Sequence, residues 1–221
     1  MDFKKSNYLN MTEQSEKWGS DLGTDYSDRN PKTIAEMDSL YTSYFGITRT
    51  TLNKEFLENL PRDIRILEVG TNVGAQLEGL KNLGFTDLTG IDVSKYALEI
   101  AKKNCPYAKF IEASALQLPF EDKSFDLVFT SGVLIHISPL DVGKVIDEMC
   151  RVLKRYIWVY EYFSEKNQEI EYRGNKNMLW KDNFMKLFLD RHPDLKVVKE
   201  KKLKYIGTDK TDQMFLLEKS F

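Results

Sequence analysis

From about Arg65 onward the chain alternates short apolar, β-branched runs with amphipathic helical stretches, which restricts it to an α/β fold on a mainly parallel sheet. The first run, IRILEV (Ile64 to Val69), is apolar almost throughout, as a central strand covered on both faces requires. The turn GTNVG follows. Ala75 to Leu83 then sets Leu77, Leu80 and Leu83 at helical spacing, with Gly84 as the stop. LTGID (Leu88 to Asp92) reads as a second strand, Ser94 as the cap of a helix ending before Pro106, KFIEA as a third strand and Phe125 to Thr130 as a fourth. Val142 to Leu153 carries Val145, Ile146, Met149 and Val152 on one helical face and leads to a fifth strand, Tyr156 to Phe163. After the helix NFMKLFLDRH, the runs DLKVVKEKKLKYI and DQMFLLEK are separated only by GTDKTD, too short for a helical crossover. The sheet therefore ends in an antiparallel hairpin, and the KEKKLK run suits an exposed strand edge.

Before this alternation, the first 45 or so residues show no strand pattern and carry Trp18, Tyr26, Tyr41, Tyr44 and Phe45 among many small polar residues. They are expected to form a helical cap over residues 1–45, in front of a domain spanning 46–221 with a lid-like insertion around 163–182. The net charge is -2, from 32 Lys plus Arg against 34 Asp plus Glu, which argues against a nucleic-acid partner. No run approaches the roughly 18 apolar residues of a membrane span, and the amino-terminal stretch lacks the apolar core of a signal peptide. A cytoplasmic protein acting on a small molecule, away from membranes, is expected. Cys105 and Cys150 are too few and too isolated for a disulfide framework or a zinc site, so both read as reduced core thiols and no metal is expected.

The strongest chemical signal is EVGTNVG, Glu68 to Gly74, between the first strand and its helix. Gly70 lets the chain turn sharply, and Gly74 lets the helix start close to the strand and to a ligand. A dinucleotide fingerprint has G-x-G-x-x-G here; Asn72 replaces the middle glycine and the last comes at the wrong interval, which disfavours NAD. Glu68 and Asp92 each end a strand, and a carboxylate at Asp92 can accept both hydroxyls of a ribose. The alternative is two strand-end acids that favour helix N-termini.

ILEVGTNVG, GIDVS, LPFEDKSFDLVFTSGVLIHI and the terminal hairpin together resemble the class I S-adenosylmethionine-dependent methyltransferases, over residues 64–221. More narrowly, EKWGSDLGTDYSDRN, Asn72 in the glycine loop, GVLIHISP, VYEYFSEKNQEIEYRGNKNMLWKDNF and DRHPDL resemble the pseudaminic-acid-biosynthesis-associated methylases. The resemblance implies a Rossmann-like, seven-stranded, mostly parallel sheet with helices on both faces, and S-adenosyl-L-methionine as cofactor. It implies that Glu68, Gly70, Thr71, Asn72 and Gly74 wall the methionine and ribose parts, and that Asp92 takes the ribose hydroxyls with Val93 against the adenine. Ser114, Ala115 and Leu116 then meet the adenine edge, although many relatives have Asp where Ser114 stands. Thr130, Ser131, Gly132 and Val133 fall where the methionine amine and methyl group lie.

Methyl transfer from a sulfonium asks the protein mainly to align a nucleophile and exclude water; a base helps when the acceptor is an alcohol. His136, just past the fourth strand, is the natural base, or else a packed core histidine. Glu161 is a second candidate, or else a cap on a neighbouring element; alternation sends it to the face opposite Tyr160 and Tyr162. Tyr162, with Tyr172 and Arg173 from the insertion and Trp18, Tyr26, Arg29 and Arg49 from the other end, are the candidates for acceptor binding or a lid, against a bland reading as packed aromatics and solvated arginines. The expected reaction is methylation of an O or N atom of a sugar-like or nonulosonic-acid intermediate, or of another small acidic metabolite. An NAD(P)-dependent oxidoreductase and a silent methyltransferase-like binding module are the competing classes. No D/N-P-P-Y/F/W motif follows the fourth strand, which argues against amino methylation of bases.

Overall fold

A computed structural model describes residues 12–220. Among the described residues, four helices precede the first strand: α1 (Glu13–Trp18), α2 (Asp21–Arg29), α3 (Ile34–Phe45) and α4 (Arg49–Leu57). Residues 1–11 of the expected cap lie outside the described residues. Thr33 starts α3 with a reciprocal capping box to Glu36, and Gly46 ends it in the left-handed region at φ 69°.

The alternation then runs β1 (Arg65–Val69), α5 (Ala75–Asn82), β2 (Asp87–Asp92), α6 (Lys95–Asn104), β3 (Lys109–Glu112), β4 (Phe125–Ser131), α7 (Val142–Val152) and β5 (Leu153–Tyr162). A ribbon of β6 (Gln168–Glu169) and β7 (Trp180–Lys181) brackets residues 170–179, and α8 (Phe184–Arg191), β8 (Leu195–Lys204) and β9 (Thr211–Lys219) follow. The seven-stranded sheet has the order β3-β2-β1-β4-β5-β9-β8, parallel through β5, with β9 antiparallel to both β5 and β8. This is the expected Rossmann-like sheet with its closing hairpin. Ser94 caps α6 as read from sequence, its hydroxyl accepting from the Ala97 N–H.

Most boundaries shift by a single residue, and the start of β5 shifts by three. β5 begins at Leu153 rather than Tyr156, because α7 passes into the strand at Val152 with no intervening loop. Leu52, Phe56, Leu57, Leu77 and Leu80 cover one face of the sheet from α4 and α5, while Val145, Ile146, Met149, Phe184 and Phe188 cover the other from α7 and α8. The strand order reverses between β1 and β4, and a crevice opens beyond the carboxyl ends of strands at such a reversal. Among the described residues, no helix is long and apolar enough to cross a membrane.

Candidate active site

The chain leaves β1 through Gly70 at φ 76°, where the N–H groups of Gly70 and Thr71 donate to the Ile91 carbonyl at 2.9 and 2.8 Å. A Cβ on Gly70 would stand 2.5 Å from Val133 Cγ2, so the loop and the segment after β4 meet only because this residue is glycine. Asn72 is also left-handed, at φ 47°, and its N–H donates to Asp92 Oδ2 at 2.8 Å. Asp92 Oδ1 accepts from the Ser94 N–H at 2.9 Å. Each carboxylate oxygen keeps lone-pair capacity for a further hydroxyl donor. Burial pushes the Asp92 carboxyl up, against the pull of these backbone donors. Glu68 accepts from Thr71 Oγ1 at 2.6 Å, and burial pushes its carboxyl up to about 8 despite that bond and the attraction of Arg49.

These groups open on a cleft of about 520 Å³. Glu68, Gly70, Thr71 and Asn72 line it from the glycine loop, Asp92 and Val93 from β2, Ser114 to Leu116 from the segment after β3, and Ser131 to Val133 from the end of β4. His136, Tyr162, Tyr172 and Arg173 reach it from one side, and Trp18, Tyr26 and Arg29 from the helical cap. Ser114 Oγ already accepts from the Leu116 N–H at 3.2 Å, which leaves its own hydrogen to donate.

Four expected site residues lie off the cleft. Gly74 caps α5 from behind the loop at φ 84°, where a Cβ would meet Cys105 Sγ at 3.3 Å; Val73, Ala75 and Gln76 line the cleft instead. Thr130 is buried and donates to Glu161 Oε1 at 3.1 Å. Glu161, 1% exposed, also accepts from the N–H groups of Val133 (3.0 Å), Leu134 (3.1 Å) and Ile135 (3.3 Å). It caps the 3₁₀ turn Leu134–His136, so it acts as an anchor rather than a base, and burial raises it to about 7. Arg49, expected in a lid, is fully buried: its Nε donates to Asn53 Oδ1 at 2.7 Å, its Nη1 to Tyr41 OH at 2.6 Å, and its guanidinium lies over the rings of Tyr41, Trp158 and Tyr160.

His136 is 8% exposed, with Nδ1 2.8 Å from the Met178 carbonyl. A carbonyl only accepts, so Nδ1 carries the proton and Nε2 presents a lone pair. Burial holds its pKa down at about 4, so the ring is neutral near pH 7. Trp18 packs on it with ring centroids 4.4 Å apart, Tyr172 at 5.1 Å and Tyr26 at 6.1 Å. Arg29 Nη2 donates to Tyr172 OH at 3.4 Å, joining the cap to the insertion.

Three contributors were not read from the sequence. Ser27 lies 2.7 Å from Asn72 Oδ1, and the buried Asp212 accepts from Tyr160 and, at 3.0 Å, from Tyr205, both of which line the cleft. The Met178 carbonyl sets the histidine tautomer. Among the described residues no group of three or more His, Cys, Asp or Glu is arranged to hold a metal ion.

The raised carboxyls give a pH dependence of stability. Asp212 (about 6), Glu161 (about 7) and Glu68 (about 8) hold protons in the folded state that the unfolded chain has released. Their contribution is complete below the unfolded pKa values near 4 and is lost as pH rises through the folded ones. His136 has the opposite sign: its neutral ring contributes above about pH 6.5, and that is lost as pH falls through about 4. Asp92 shifts in the same direction, and these carboxyls against the one histidine make the urea midpoint of the ligand-free protein fall from about pH 5 to about pH 8. A midpoint that rises over that range would refute the burial of these carboxyls.

Residues 67–158 match the family described as Methyltransferase domain. The match runs from β1 into β5, and together with the fold it supports S-adenosylmethionine as the cofactor. The chain is 33% identical over 112 residues to a demethylmenaquinone methyltransferase of Chlorobaculum tepidum, covering 51% of this chain and 45% of that one. A demethylmenaquinone methyltransferase of Thermotoga maritima is 36% identical over 92 residues, covering 41% and 39%. The chain thus spans less than half the length of these curated relatives. The fold is shared with 1,6-didemethyltoxoflavin N1-methyltransferase of Burkholderia thailandensis (TM-score 0.68, 12% identity, 94% of this chain and 91% of that one). It is shared equally with magnesium protoporphyrin IX methyltransferase of Synechocystis (TM-score 0.67, 14% identity, 96% and 99%).

The cleft fits S-adenosylmethionine on its own geometry. Asp92 is held by two backbone donors with lone pairs to spare for hydroxyl donors, Gly70 leaves room where a Cβ would collide, and Glu68 brings a buried carboxyl to the wall.

Proposed function

We propose that the protein transfers a methyl group from S-adenosylmethionine to an O or N atom of a small acceptor bearing an anionic group. The observation that carries this reading is the placement of a bare imidazole nitrogen, His136 Nε2, in the same cleft as the Asp92 and Gly70 wall. When bound, the cofactor supplies a methyl carbon whose leaving group needs no proton. The chain's task is to align the acceptor, exclude water and take one proton at His136 Nε2. Trp18, Tyr26 and Tyr172 pack around the imidazole and line the same cleft.

Support for an acidic acceptor comes from Arg29 and Arg173, which line the cleft from the cap and from the insertion. The arginine ion pairs among the described residues fall elsewhere, on Arg151, Arg155 and Arg191, which leaves these two guanidinium groups for a carboxylate or phosphate. Aromatic walls with arginines at the mouth suit a sugar-like acid, and a nonulosonic acid of the pseudaminic type is the acceptor we favour. In this reading the cap over 1–45 and the insertion around 163–182 choose the substrate, while the sheet holds the cofactor.

Calorimetry with S-adenosylhomocysteine is the first test: micromolar binding is expected, and absence of binding, or tight binding of NADH, would overturn the reading. Asp92→Ala is expected to weaken that binding by about 2–3 kcal/mol, the scale of hydrogen bonds to a charged group, or about 30- to 160-fold in Kd. An unchanged Kd would place the ribose elsewhere. A tritiated-methyl assay across acidic sugars and nucleotide-activated sugars then identifies the acceptor; transfer only to uncharged rings would remove the role given to Arg29 and Arg173.

A further inference from the structure

Position 72 raises a question that cofactor binding alone does not answer. A left-handed residue between a strand and a phosphate- or ribose-facing helix is ordinarily glycine, and at φ 47° a side chain is tolerated only with a local reason. Asn72 uses both of its ends. Its N–H donates to Asp92 Oδ2, the acid at the ribose position, and its side-chain amide meets Ser27 Oγ at 2.7 Å across 45 residues of sequence.

Ser27 is 1% exposed and lies on the inner face of α2, with its hydroxyl also 2.8 Å from the Gly23 carbonyl. A hydroxyl has one hydrogen. Both contacts are satisfied when Ser27 donates to Gly23 and Asn72 turns its amide nitrogen to donate to Ser27. At the other end of the same helix turn, a Cβ on Gly23 would fall 1.8 Å from the Trp18 carbonyl, so α1 is locked against α2. Tyr26, next to Ser27, and Trp18, across the Gly23 junction, are two of the three rings on His136.

We infer that Asn72 and Ser27 form a latch through which the cofactor loop sets the position of α2, and with it the aromatic wall over His136. Asn72 is thus a positioning residue for the acceptor side of the cleft. A ligand whose hydroxyls settle on Asp92 fixes the partner of the Asn72 N–H, and the fixed Asn72 side chain holds Ser27. Filling the ribose site therefore orders the acceptor wall, and cofactor binds before acceptor. This rests on the proposed function only for the identity of the ligand; the latch itself is a property of the chain.

Amide hydrogen exchange over Asp21–Arg29 in the full chain tests it, with Ser27→Ala, Asn72→Gly and the double variant. Asn72→Gly keeps the backbone N–H and the left-handed conformation and removes only the latch. Each single variant is expected to speed exchange of α2 by about five- to tenfold, the scale of one net hydrogen bond, and the double variant to be no faster than Ser27→Ala, which already removes the latch together with the bond to Gly23. Exchange in β4 stays at the parent rate. S-adenosylhomocysteine slows α2 exchange in the parent and no longer does so in Ser27→Ala, whose affinity for it stays within about threefold of the parent. Parent-like α2 exchange in either single variant, additive effects in the double, or ligand protection that survives Ser27→Ala would each overturn the latch. A parent that fails to bind S-adenosylhomocysteine sinks the functional reading instead, and the ligand-free exchange rates still decide the latch.

Discussion

The His136→Ala protein is expected to bind S-adenosylhomocysteine within about threefold of the parent while losing about 10²- to 10⁴-fold in methyl transfer, the range for removal of a positioned base. The imidazole contacts Met178 and the aromatic wall and makes no bond to the glycine loop, so the cofactor side is untouched. A pKa held down at about 4 makes His136 a weak base in the ground state. That weakness is tolerable, because an acceptor oxygen becomes cationic as its bond to the methyl carbon forms, and its proton then passes readily even to a weak acceptor. The same value predicts turnover that stays level from pH 8 down to about 5 and falls below it as Nε2 protonates. Normal turnover in His136→Ala, or a fall centred near pH 6.5 in the parent, would remove the histidine from this role.

Glu161→Ala is expected to act on stability. Its carboxylate serves three backbone N–H groups and the Thr130 hydroxyl, and an unsatisfied buried donor costs about 1–3 kcal/mol. With some of the turn relaxing, a loss of about 3–5 kcal/mol follows, a fall of roughly 6–20 °C in Tm for a domain of this size. Differential scanning calorimetry reads it directly. A protein with unchanged Tm and no turnover would return Glu161 to the catalytic group and end its role as an anchor.

The strand and helix pattern carried the sheet because each element had its own apolar periodicity; even the reversal at the end was legible in the short GTDKTD spacer. The alternation along β5 separated Glu161 from Tyr160 and Tyr162 correctly, and the acid's use was undecided only because the three N–H groups it serves come from the turn after β4. Arg49 was legible in principle. Arg49, Leu52, Asn53 and Phe56 share one helical face that is buried throughout, so the arginine belongs with the core face of α4. Gly74 was misplaced because glycine spacing shows where a backbone turns, not which side of the turn a ligand occupies. Ser27 and Asp212 carried no local signal at all: one meets Asn72 and the other Tyr160 only after distant segments fold together.

The position of β9 between β5 and β8 has a consequence for synthesis on the ribosome. The outer edge of β5, with Ile157, Trp158 and Val159, has no permanent neighbour until Thr211–Lys219 has emerged, since β8 pairs only with β9. The nascent chain thus carries a bare, strongly apolar strand through the translation of α8 and β8, the interval in which chaperone contact or misassembly is most probable. Asp212 arrives with that same late strand, so the tyrosines it fixes are set only at the final pairing step.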